Sequence, residues 1–181
     1  MKKSLMTFLF LLLGVAIVST ASADVIVIPQ SALIPSTTYY TDILGDPVAW
    51  NGGAPRSSDP IRNDDAFRGP INLGFSLNFY GNDYTTFFAN NNGNISFGSG
   101  ISAFTPSGPQ GAPQPIISPF FADVDTRNSE SGLMYLRSDP GQIIVTWDQV
   151  GYYNSRADKL DSFQLVLRSS DYAVPTGEGQ I

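Results

Sequence analysis

The chain has 181 residues, a formal net charge of −6, and neither cysteine nor histidine. Without those two residue types, Ser-His-Asp and Cys-His nucleophile systems and the usual zinc ligand sets are excluded, so any chemistry must come from carboxylates, Lys, Arg, Tyr or Ser. An acidic chain with scattered basic residues also lacks the Lys and Arg surface that holds nucleic acid or an anionic membrane.

At the start, Lys2 and Lys3 precede the apolar run Leu5 to Val18, and Ala21-Ser22-Ala23 follows. That order reads as a secretory signal peptide over residues 1–23, cleaved near Ala23. The run is too short for a comfortable membrane span of about 20 residues. The mature chain is therefore expected to be secreted or held in the cell envelope, and its size suits one domain. With no disulfides it depends on its core, and the missing cysteine points to a bacterial source.

Residues 24–69 read as an irregular N-terminal segment, with an edge strand at Val25 to Ile28 and a Gly-, Pro-, Ser- and Asp-rich stretch from Gly45 to Gly69 over the surface. Regular structure begins near residue 70. Ile71, Leu73, Phe75, Leu77 and Phe79 alternate with Asn72, Gly74, Ser76 and Asn78, the mark of a half-buried strand. Tyr80 to Asp83 reads as a turn, and Tyr84 to Ala89 as an aromatic and β-branched strand. Asn92-Gly93 suits a type I′ hairpin turn, returning antiparallel through Asn94 to Phe97.

Gly98 to Pro115 is too rich in Gly and Pro for a regular element and reads as a long surface loop. Ile116 to Val124 reads as extended, with Pro119 marking an edge or bend. Leu133 to Arg137 and Gln142 to Trp147 read as strands joined through Pro140-Gly141. A helical turn is expected near Ser155 to Leu160, then a strand from Ser162 to Arg168. The chain stops at Gly177 to Ile181 just where a further strand is expected, so the domain is expected to continue past Ile181. About seven short strands define a mostly β fold: an antiparallel sandwich or barrel-like single domain with long surface loops.

The series FYGNDYTTFFANNNGNISFG, PIISPFFADVDTR, SGLMYLR, VTWDQVGYY and DSFQLVL resembles the nidogen-like extracellular (NIDO) domain family, over about Gly69 to Leu167. The closing strand expected of the family after the Phe163 strand is cut off at Ile181. The resemblance implies an extracellular, non-enzymatic module for adhesion in a matrix or at a cell surface. It carries no catalytic residues over.

Three readings of Asp123 and Asp125 stand open. In an extended chain they share a face about 7 Å apart. With Asn128, and with Glu130 nearby, they offer the oxygen donors of a calcium site. Alternatively the pair is structural, with Arg127 or Arg137 pairing with one Asp and backbone amides satisfying the other. The third reading is a carbohydrate-active hydrolase that uses Asp123 and a second carboxylate such as Asp148, Asp158 or Asp161, although two carboxylates on one strand face fit poorly around a sugar ring.

Trp147, Tyr152 and Tyr153 offer an aromatic platform for protein or glycan, or else ordinary core packing. The adjacent pairs Phe87-Phe88 and Phe120-Phe121 imply covered faces on both sides. Asn94-Ile95-Ser96 matches the N-glycosylation acceptor but sits beside a tight turn. The expected partners are extracellular proteins or glycans, and no nucleic acid. Membrane contact is expected only through an anchor beyond Ile181, which would suit an envelope structural protein.

Overall fold

Alternation and turn chemistry give eight strands and no helix among the residues described in the computed structural model, 37–106 and 111–176. They are β1 (Asp46–Pro47), β2 (Phe67–Phe79), β3 (Asn82–Asn90), β4 (Asn94–Ser96), β5 (Ile116–Ile117), β6 (Leu133–Asp139), β7 (Gln142–Tyr152) and β8 (Arg156–Arg168). The expected signal peptide, the Val25–Ile28 strand and the end of the chain at Ile181 lie outside the described residues. Among the described residues no helix is long and apolar enough to cross a membrane.

The strands form two antiparallel sheets of four, ordered β1-β6-β7-β8 and β2-β3-β4-β5. Each has two free edges, so the architecture is a sandwich and not a closed barrel. Alternation along β2 decides which residues enter it: Leu73 is fully buried, Ile71, Phe75, Leu77 and Phe79 pack against the core, and the intervening Asn72, Gly74, Ser76 and Asn78 are exposed. Opposite them, β7 contributes Ile143, Val145 and Trp147 and β6 contributes Met134, all buried. Phe87, Ala89, Ile95 and Phe97 complete the inner layer. Each large side chain taken from water here stabilises the fold by about 1.5–3 kcal/mol.

Strand β7 is buried on its second face too, at Ile144 and Thr146. The cover is the segment before β1. Gln164 Nε2 donates to Thr146 Oγ1 and to the Thr41 carbonyl, while the Thr41 amide donates to Gln164 Oε1. Tyr39 OH reaches Asp148 Oδ1 at 2.7 Å.

Several local expectations give way to longer-range packing. The turn with two positive φ angles is Tyr80-Gly81 (50° and 80°), whereas at the β3–β4 turn only Gly93 takes one (77°). Asn90 pairs with Asn94, so this is a three-residue loop with glycine at its left-handed position. A Cβ on Gly93 would run into the Phe120 carbonyl. Gly93→Ala is therefore expected to cost about 2 kcal/mol or more in a urea titration, since the left-handed conformation alone costs roughly 1–2 kcal/mol.

In place of a helical turn at Ser155 to Leu160, β8 begins at Arg156, because pairing with β7 holds the chain extended through a bulged register. Gly45 to Gly69 does not simply run over the surface: β1 joins β6, Val48 and Ala66 are core residues, and Asn63 and Asp64 are buried. Only Ile116–Ile117 of the expected extended segment pairs as a strand. Phe87 and Phe88 are both covered, Phe88 edge-on to Phe67, but Phe120 remains 47% exposed. Asn94 is fully buried, so the folded domain has no room for a glycan on it.

Candidate functional site

Four segments distant in sequence converge around PIISPFFADVDTR. Asp125 bridges to Asp64, and Val124 bridges to Tyr152. The Tyr153 amide donates to the Asp123 carbonyl, and the Asn91 amide donates to the Ala66 carbonyl. Residues 62–66, 90–94, 122–128 and 151–156 thus meet at one place.

The turn Asn90-Asn91-Asn92-Gly93 is almost wholly buried, and its amides serve as connectors. Asn90 Oδ1 accepts from the Ile101 amide, and its Nδ2 donates to Asn94 Oδ1 and Ser96 Oγ. Asn92 Oδ1 accepts from the Val124 amide, and its Nδ2 donates to Asp65 Oδ1 at 2.8 Å. Loops without a ladder partner must satisfy their backbone groups in this way once buried. On the other side, Arg62 Nη1 donates to the carbonyls of Thr126, Asn128 and Ser131.

Asp125 is fully buried and fully engaged. Arg127 Nε donates to Oδ1 at 2.9 Å and Arg127 Nη2 to Oδ2 at 2.6 Å, a two-pronged pair. The amides of Arg127 and Ser155 add 2.9 and 2.7 Å bonds. Burial alone would raise its pKa, but the Arg127 side chain and those two amides outweigh burial and hold the carboxyl below the usual range. The same Arg127 Nη2 also lies 2.6 Å from Asp64 Oδ2. Arg127 is itself held more firmly protonated, chiefly by its hydrogen bond with Asp125.

Asp123 has different neighbours. One carboxylate oxygen each from Asp64, Asp65 and Asp123 lies within 4.8 Å of the others. Asp64 is pushed up to about 6, first by burial and then by the nearby Asp125 charge. Asp123 is also raised, by burial and then by Asp65 and Asp125. Oδ1 of Asp64 and Oδ1 of Asp123 are buried with no hydrogen-bond partner among the described residues.

The geometry therefore divides the oxygen donors read from the sequence. Asp123 joins Asp64 and Asp65. Asp125 is taken by Arg127 and Ser155. Asn128 is spent on its own loop and the β7–β8 turn, its Oδ1 accepting from the Glu130 amide and its Nδ2 donating to the Ser155 carbonyl. Arg137, the other cation considered for the pair, binds Asp139 instead.

The aromatic platform is divided as well. Trp147 has no exposed surface: it stacks on Phe163 at 4.9 Å and its Nε1 donates to the Asn91 carbonyl, so it cannot take part in a surface platform. Tyr152 is half-buried, its OH donating to Asp158. Tyr153 is 58% exposed. Among the carboxylates weighed for hydrolysis, Asp148 lines a groove of about 350 Å³ with Tyr39, Asp42 and Ser162, and Asp123 is not part of that groove.

Asp64, Asp65 and Arg62 were not singled out by sequence reasoning, because they sit in a segment whose composition reads as surface loop. The available signal was Arg62-Asn63-Asp64-Asp65 running directly into the apolar Ala66-Phe67.

The chain also has relatives among known proteins. The family described as NIDO related matches residues 35–174, and the chain belongs to that family. Alpha-tectorin of Mus musculus is 33% identical over 133 residues, covering 59% of this chain. Alpha-tectorin of Gallus gallus is 29% identical over 140 residues, 62% of this chain. Nidogen of Drosophila melanogaster is 26% identical over 125 residues, 52% of this chain. The chain spans only 6% of the tectorins and 9% of the nidogen. No solved structure matches it significantly.

Proposed function

We propose that this chain is a secreted, non-catalytic interaction module of the nidogen-like type, binding extracellular protein or glycan. The observation that carries this reading is the family match over residues 35–174. The similarity to nidogen and alpha-tectorin supports an extracellular setting, as do the basic start, apolar run and Ala21-Ser22-Ala23 of the leader. Of the two carboxylates in the central motif, Asp125 serves the scaffold: it is neutralised by Arg127 and unsuited to acid–base work. Exposed aromatic surface next to this site is available for contact: Tyr153 after β7 and Phe120 beside Gly93. Such side chains bury large areas at low entropic cost.

The purified protein, applied to a glycan array and a panel of purified matrix proteins, is expected to show saturable binding without turnover. Tyr153→Ala should weaken that binding about tenfold or more, as loss of an aromatic anchor does, with the unfolding free energy changed by no more than about 0.5 kcal/mol. Turnover of any glycan that disappears in Asp123→Asn would make the protein a hydrolase instead. Absence of binding across both panels would also sink the reading.

A further inference from the structure

We propose that Asp64, Asp65 and Asp123 bind one calcium ion, which clips the chain entering β2 to the loop that runs past Tyr152 of β7.

Three independent features lead there. The first is distance: a calcium–oxygen bond of about 2.3–2.6 Å lets one ion reach donors separated by up to roughly 5 Å, and the three carboxylates each offer an oxygen within 4.8 Å of the others. The second is unmet hydrogen-bonding capacity. Asp64 is only 5% exposed, and its Oδ2 is held by Arg127 while its Oδ1 is buried without a partner. Asp123 Oδ1 is in the same condition, and so is Oδ1 of Asn91, which borders Asn92. Every such atom among the described residues is thus an oxygen acceptor on converging segments. Buried polar groups left unpaired cost about 1–3 kcal/mol each, and a cation satisfies acceptors in a way that no further carboxylate or carbonyl can.

The third feature is charge. Asp64, Asp65, Asp123 and Asp125 gather here, and among the described residues Arg127 is the only cation ion-paired to them. Arg62 is turned to carbonyl oxygens and Asp59. The donor set is all oxygen, with no His or Cys in the chain, which selects a hard cation over zinc or copper. The carboxylates are also held in place: Asp65 Oδ1 is fixed by Asn92 Nδ2, and Asp64 Oδ2 by Arg127.

The proposal is tested by thermal melts of the purified protein in EDTA and across a calcium chloride series to about 5 mM, spanning the affinities of extracellular calcium modules. Asp123→Asn and Asp65→Asn are measured in parallel, so that one variant remains if the other fails to fold. The wild-type midpoint should climb with calcium, by about 2–4 °C at 5 mM if Kd is about 1 mM and by about 5–9 °C if Kd is about 0.1 mM, and titration calorimetry should give one site. Both variants should lose the climb, with Kd weakened at least tenfold. A wild-type midpoint indifferent to calcium overturns the site. So does a climb that persists undiminished in the folded variants, since the ion would then sit elsewhere.

Discussion

Arg127→Leu is expected to lower the unfolding free energy by about 3–5 kcal/mol in a urea titration, because it strands charges that are already out of water. The guanidinium serves two carboxylates at once, gripping Asp125 with Nε and Nη2 and reaching Asp64 with Nη2. With Leu in its place Asp125 keeps the backbone amides of positions 127 and 155 and a long bond from the Ser155 hydroxyl. Asp64, already short of partners, loses its ion pair. Arg127→Lys separates charge from shape. A lysine restores one positive charge but not the planar fork, so it should recover only part of the loss. A drop of less than about 1 kcal/mol in Arg127→Leu, the range of an exposed ion pair, would mean that the network is peripheral to stability.

Trp147→Ala is expected to cost about 3–5 kcal/mol, the range for removing a large aromatic from a packed interior. The ring is fully buried and stacked on Phe163, and its Nε1 is the tie from β7 to the Asn91 carbonyl in the β3–β4 turn. Trp147→Phe divides the two contributions. Ring stacking is largely retained while the Asn91 carbonyl loses its donor, so about 1–3 kcal/mol should disappear. Equal losses for Ala and Phe would assign the whole effect to the hydrogen bond, contrary to the packing seen here.

What the sequence made legible was whatever depends on neighbours a few residues apart. The alternation of Ile71 to Phe79 marked both a strand and its inward face, and Pro140-Gly141 marked the tight hairpin between Asp139 and Gln142. Counting such elements left a sandwich or a barrel-like domain open, and the two open sheets decide for the sandwich. The site was less legible because its parts are remote. Asp64 meets Asp125 across 61 positions, and no local periodicity encodes that meeting. Asn90 to Asn92 misled for a related reason. Their composition signals a turn, and they do form one, yet the turn is buried, and its side-chain amides replace the ladder bonds that neighbouring loops lack. Trp147 and Tyr152 lie in one strand, but core burial took the first and left the second half-exposed.

The two longest strands, β2 and β8 at 13 residues each, both lie at the outside of their sheets. A long free margin of backbone donors and acceptors is a template on which another chain can add itself. Each margin is spoiled by different means. Strand β2 carries Pro70, which has no amide hydrogen to give, and its register with β3 slips twice. Strand β8 places Arg156, Asp158, Lys159 and Asp161 along its exposed first half, so that an incoming strand would have to desolvate charge to dock. Both margins are thereby poor templates for a second copy of the domain to extend strand by strand.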